Sequence, residues 1–316
     1  MFTFSKIKIL NNYIGNNKAS WAGGGIYLEY SSPQISNNTI INNNVSYDGG
    51  GIYMESSSPQ ISNNTISHNN ANSQAGGIFL WDSNPDINNN TISNNNTTYY
   101  GGGIYVWDSN PNVNKNTINN NFAEYGGGMC VYMSSPQIIN NIIINNSAGN
   151  GGGIYLMHSN SKIINNIISN NFCNGYYGGS GIYRSCDNPV IRNTILWGNK
   201  RDTIDEQIIS TGEGVLTVKY SCIQGGWSGE GNINDDPSFI SPSGGSGKDY
   251  DGLLANWRLK SSSPCIDTGD PDPTGLPSTD RDGNLRIWNG RVDMGAYEYL
   301  GLKLKLKVFL QGAYRY

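Results

Sequence analysis

From Ile26 the chain alternates apolar and other side chains in short runs: IYLE, then IYME from Ile52, IFLW from Ile78 and IYVW from Ile104. A period of two is the mark of a strand with one buried face, whereas a helix needs apolar positions three and four apart. Between the runs, Gly-Gly, Ser-Pro and Asn-Asn pairs punctuate the chain every six to nine residues, which leaves no stretch long enough for a helix. The pattern predicts short strands joined by tight corners, three of each per unit.

The unit repeats. The last glycine before each run is Gly25, Gly51, Gly77, Gly103, Gly128, Gly153 and Gly181, at intervals of 26, 26, 26, 25, 25 and 28. Periods of 20 to 50 residues belong to solenoids. Strands that close on themselves and stack about 4.8 Å above the previous turn make an all-β, parallel β-helix of coils. Like residues then form columns. The inward ones read Ile26, Ile52, Ile78, Ile104, Met129, Ile154, Ile182; then Leu28, Met54, Leu80, Val106, Val131, Leu156; then Ile35, Ile61, Ile87, Val113, Ile138, Ile163. Small residues (Ala19, Val45, Ala71, Thr97, Ala123, Ala148, Cys173) mark a tighter corner. Two asparagine columns follow, one from Asn12 through Asn166 to Asn193 and one from Asn17 through Asn171. Asparagine tolerates a left-handed corner and carries both a donor and an acceptor, so a stacked column can satisfy itself.

These units resemble the right-handed parallel β-helix repeats of the superfamily that includes pectate lyases, polygalacturonases, epimerases and many surface proteins. The resemblance covers about Met1 to Ile223 and is what implies the hand. Periodicity fails after Gly181, where Arg184 enters an inward column and Trp197 replaces a corner polar residue. A final coil around LTVKYSCI (Leu216 to Ile223) and an irregular C-terminal cap are expected, because a solenoid must blunt its open edge. NTILWGN from Asn193, YSCIQGGWSGEGNINDDPSFI from Tyr220, SPCIDTGDPD from Ser263 and DRDGNLRIWNGRVDMGAYEY from Asp280 together resemble bacterial secreted β-helix proteins with a choice-of-anchor Q region. That resemblance implies export and a secreted or cell-surface location. The expected organisation is residues 1–224 as repeats beginning mid-coil, 225–300 as the cap and anchor-like region, and 301–316, with its Leu/Lys alternation, as the start of a further segment of a longer chain. Cys222 and Cys265, one in each of two of these motifs, are candidates to pair under oxidising conditions.

Composition narrows the partners. The formal charge is −4 and no basic cluster exceeds Lys200-Arg201, which argues against nucleic acid and anionic membranes; no run approaches the ~20 apolar residues of a membrane span. Candidate chemistry lies on the outward face of the first strand, where Tyr27, Tyr53, Phe79, Tyr105 and Tyr155 share a column broken by Cys130, beside Glu29, Glu55, Trp81, Trp107 and Tyr132. Exposed aromatics at coil spacing offer flat faces to sugar rings, or else simply support one another as a ladder. Asp82 and Asp108, one coil apart, are the candidate catalytic pair, in the arrangement a hydrolase uses for acid and base. Neither His68 nor His158 has an evident catalytic companion, and these columns hold no Lys or Arg. Asp267, Asp270, Asp272, Asp280 and Asp282 lack the spacing of a calcium loop. No cofactor or dedicated metal site is expected, calcium being the one ion the acids could take. The expected function is a monomeric surface or secreted protein that binds polysaccharide; the alternatives are a polysaccharide lyase or glycoside hydrolase in the same groove, and a plain spacer.

Overall fold

The computed structural model describes residues 7–301, and among them no helix forms. Each coil contributes a four-residue strand such as Ile26–Glu29, two three-residue strands such as Gln34–Ser36 and Thr39–Ile41, and a two-residue strand such as Asn44–Val45. Stacked, they give a first sheet of eight strands and second, third and fourth sheets of nine each. Within these four sheets pairing is parallel apart from one antiparallel closing pair, Lys200–Arg201 with Ile204–Asp205. The sequence pattern implied three strands per coil; the fourth ladder is the corner of small residues, two residues long in most coils and four in Phe122–Tyr125 and Ser147–Asn150.

Register makes the core. Ile26 pairs with Ile52, Ile52 with Ile78 and Ile78 with Ile104, so identical side chains stack without slipping to the other face. The expected inward columns are all buried, and the central residues of the third sheet, Ile40 through Ile168 and on to Leu196 and Ile223, add a fourth. At the glycine corner, Gly49 lies at φ +71°, and a Cβ on Gly50 would meet the Gly76 carbonyl oxygen at 2.5 Å. Neighbouring coils therefore touch there backbone to backbone, as only glycine permits.

The asparagine doublets divide two tasks. The first residue of each, such as Asn37 or Asn42, takes the left-handed corner at φ 57° or 56°. The second points inward: Asn64 donates its Nδ2 to the Ile35 carbonyl at 2.9 Å and to Asn90 Oδ1 at 3.0 Å, while Asn90 Oδ1 also accepts the Asn64 backbone N–H at 2.9 Å. Each carboxamide thus closes one coil onto the next in a place without water. The first ladder ends differently from expectation. Its eighth rung is Thr194, whose Oγ1 accepts the Asn166 N–H, because that coil is 28 residues long; Asn193 instead takes the left-handed corner. Serines at the Ser-Pro corner form a further ladder, with Ser57 N–H donating to Ser83 Oγ and Ser83 N–H to Ser109 Oγ.

The C-terminal region is less an end cap than a side wall. The end itself is closed by Trp227, packed against the core cluster, and by a bridge from Cys222 to Ile233. Arg184, in its inward column, is 2% exposed and donates to Ser210 Oγ and to the carbonyls of Asp187, Thr211 and Glu213. The rest of the region, including the antiparallel pair Phe239–Ser241 and Asn256–Leu259, runs back over the outer surface of the third sheet. Phe239, Trp257, Leu259, Met294 and Ala296 pack there on Ile142, Ile144, Ile167 and Ile195. Asn120 donates to the carbonyls of Lys248 and Tyr250, and Arg281 reaches the Asn116 carbonyl, so the wall extends over several coils. Asp270 forms ion pairs with Arg192 at 2.7 Å and Lys219 at 3.0 Å, which pins the wall to the last coils. Cys222 and Cys265 meet as buried thiols within this layer. The expected segment 301–316 lies, beyond Gly301, outside the described residues.

Candidate functional site

The outer surface of the first sheet carries the predicted aromatics Tyr27, Tyr53, Phe79, Tyr105 and Tyr155 in register, with Cys130 at the break, and Tyr183 continues the column. Strand pleating turns this column outward, and coil spacing sets ring on ring. Centroids are 5.1 Å apart for Tyr27–Tyr53 and 5.0 Å for Tyr53–Phe79, both with nearly parallel rings, and 4.7 Å for Tyr155–Tyr183. The expectation of exposed flat faces is corrected by this packing. Tyr27 at the open end is 44% exposed, but Tyr53, Phe79, Tyr105 and Tyr155 are 2–6% exposed, because rings of the column cover one another and, beside Cys130, Tyr100 and Tyr125 pack against Tyr105 and Tyr155. Burial raises the hydroxyls of Tyr53, Tyr105 and Tyr155 above the ordinary phenol range.

The neighbouring column provides the accessible surface. Trp81, 37% exposed, stacks on half-buried Trp107 at 5.4 Å and 13°, and Tyr132 and Met157 continue the line. At its other end Glu29 and Glu55 replace the aromatics, each accepting from the tyrosine of its own strand: Tyr27 Oη to Glu29 at 3.4 Å and Tyr53 Oη to Glu55 at 3.3 Å. Burial first, then the charges of Glu29 and Glu55 and the hydrogen bond to Glu29, raise the Tyr27 hydroxyl above its ordinary value.

Asp82 and Asp108 sit at the corner that ends the strand, in left-handed conformation at φ 48° and 47°. Tyr30, Ser56, Met133 and His158 occupy the same corner in other coils. Both carboxylates are exposed; Asp82 Oδ2 accepts from Ser56 Oγ at 3.0 Å. His158 Nδ1 lies 3.9 Å from Asp187, and both groups face solvent. His68 takes the left-handed corner of an asparagine, as its place in the repeat implied. Among the described residues no three His, Cys, Asp or Glu side chains converge as metal ligands. The C-terminal aspartates are engaged in turns and ion pairs: Asp270 as above, Asp282 with Arg258 at 2.7 Å, Asp280 accepting the N–H groups of Asn284 and Glu298, Asp272 that of Thr274, and Asp267 an amide proton of Asn289.

Residues the sequence reading missed line the other side of the face. Asp48, Gln74, Tyr100 and Tyr125 form a column of bridges just ahead of the glycine corners. Tyr100 stacks on Tyr105 at 5.5 Å and on Tyr125 at 5.2 Å, and Tyr125 meets Tyr155 edge-on. The signal was present: Asp48, Tyr100 and Tyr125 each stand directly before a run of glycines, at the interval of the repeat. Between this column and the Trp81–Met157 line lies a cavity of about 270 Å³ bordered by Gln74, Tyr105, Trp107, Cys130, Tyr132 and Tyr155.

The family model described as a right handed beta helix region matches residues 2–118 and, in a second overlapping alignment, residues 42–195. No curated protein matches the chain.

Proposed function

The chain belongs to the right-handed beta helix family, and from that premise we propose that it is an exported bacterial surface or secreted protein that holds polysaccharide along the outer face of its first sheet. The observation that carries this reading is the pairing of two outward apolar surfaces. The one on the third sheet is covered by the chain's own C-terminal wall, whereas the aromatic one keeps Tyr27 and Trp81 in solvent and frames an open cavity. A coherent apolar stripe left uncovered is a surface kept for a partner. Stacked indole and phenol rings suit sugars, whose ring faces are lined by C–H bonds and whose rims carry hydroxyls. The segments that resemble a choice-of-anchor Q region run from strands of the last coils, Ile195–Trp197 and Cys222–Ile223, into the wall, and we assign them to retention at the cell surface.

The alternative of a lyase or hydrolase would use Asp82 and Asp108 at the edge of this face. Both are exposed, so water screens each from the other, and one is engaged by Ser56. Incubating a panel of neutral and uronic-acid polysaccharides with the protein, followed by size exclusion, separates the readings. Co-elution at unchanged chain length is expected. Shortening that is lost in Asp82→Asn/Asp108→Asn would make this an enzyme, and neither effect would leave a spacer.

A further inference from the structure

The aromatic ladder skips one rung. Cys130 pairs in register with Tyr105 on one side and Tyr155 on the other, so a thiol stands where every other described coil from Tyr27 to Tyr183 has a ring. The neighbours narrow the gap without filling it: Tyr105 tilts 59° from Phe79 toward Tyr100, Tyr100 and Tyr125 wall one side, and a cavity of about 270 Å³ remains. That is just below the ~300–1,000 Å³ of sites for drug-sized ligands and suits a single ring. No bordering residue is charged. One bordering polar atom has no partner: Gln74 Oε1 is buried and accepts no hydrogen bond. A buried acceptor in that state costs free energy until a donor reaches it.

We infer that the gap at Cys130 is a subsite for one uncharged pyranose ring, an inference that rests on reading this face as polysaccharide-binding. The sugar takes the missing rung, its C–H faces against Tyr105 and Tyr155, and a rim hydroxyl donates to Gln74 Oε1. Charge sets the class. Glu29, Glu55, Asp82 and Asp108 flank the face without a Lys or Arg in their columns. A polyuronate would bring a carboxylate on every ring to a surface of like sign, within the ~8–10 Å over which charges act at ordinary salt. A cationic amino sugar would lose hydration in a slot that offers it no counter-charge. Burial pushes the Cys130 thiol well up, which keeps it a neutral floor rather than a nucleophile.

The test uses the full chain with soluble neutral glucan, xylan and mannan, and with polygalacturonate, in affinity electrophoresis. Cys130→Phe supplies the missing ring, and Gln74→Leu removes the acceptor. Retention of a neutral glycan is expected for the native protein. It should weaken about tenfold or more in Cys130→Phe at an undiminished thermal midpoint, and about 2- to 10-fold in Gln74→Leu, the worth of one hydrogen bond. Equal retention by a folded Cys130→Phe overturns the subsite and leaves the wider face intact. If that variant does not fold, unchanged retention by Gln74→Leu overturns it instead. Preference for polygalacturonate overturns the ligand class, and no retention of any glycan by the native protein removes the face reading and the subsite together.

Discussion

Two outer surfaces of one solenoid meet the same problem differently. On the third sheet the outward residues are Thr39, Thr65, Thr91 and Thr117 in the early coils and Ile142, Ile167 and Ile195 in the later ones. The change falls where the C-terminal wall begins: Thr117 is met by Arg281 at the wall's edge, and isoleucine in the later coils packs in one cluster with Trp257, Met294 and Ala296. On the first sheet one outward column is aromatic from Tyr27 to Tyr183 except at Cys130, yet no wall lies on it, and the rings bury one another instead. An outward apolar column therefore has two stable solutions: cover from elsewhere in the chain, or self-stacking. Only the second leaves a surface available to a ligand.

The contrast can be broken most severely at the wall. Trp257→Ala should cost about 3–5 kcal/mol as a large core ring is lost. Urea unfolding would register it, with increased binding of a hydrophobic dye as Ile142 and Ile167 are bared; an unchanged midpoint would mean that the wall contributes no stability.

Next comes pH. Arg286 and Glu298 form a buried pair at 3.3 Å, and burial pushes Glu298 up to about 8 although the guanidinium pulls the other way. Burial likewise lifts Asp293 to about 6, against the N–H groups of Asp267 and Tyr299. Both folded values lie above the unfolded ones of about 4, so the native state binds the more protons between them. The contribution of these two groups to stability should accordingly be complete below about pH 4, fall as pH rises toward 8, and level off beyond. Urea midpoints between pH 5 and 8 would measure this, and Glu298→Gln should flatten the slope.

A smaller effect follows from exchanging residues between the two halves of the third sheet. Ile167→Thr beneath the wall should cost roughly 2 kcal/mol through lost burial and a stranded hydroxyl, whereas Thr91→Ile on the bare half should stay within about 0.5 kcal/mol. Similar costs at both sites would show that the wall does not distinguish them. The smallest effect belongs to the self-stacked surface: a double-mutant cycle on Trp81 and Trp107 should return a coupling of about 0.5–1.5 kcal/mol, and zero coupling would remove stacking as its support.

Much of this was legible because the repeat is local. Alternation in IYLE, the glycine intervals and the asparagine columns each report a residue's relation to its copy one coil away, and parallel stacking turns that spacing into contact. The two-residue fourth strand was hidden inside a corner, since two residues carry no periodicity. The threonine-to-isoleucine change at Ile142 was visible too, but it had no meaning until a covering segment was known.

By itself, then, the sequence determined the solenoid, its inward columns and the aromatic ladder with its break at Cys130, because in a repeat each coil is its neighbour's environment. Only the tertiary structure decided where the C-terminal segment lies, which rings are buried, and that Gln74 and Tyr100 border the cavity. Those outcomes depend on contacts such as Arg281 with Asn116, 165 residues apart, and no local period encodes a pairing made once at such a distance.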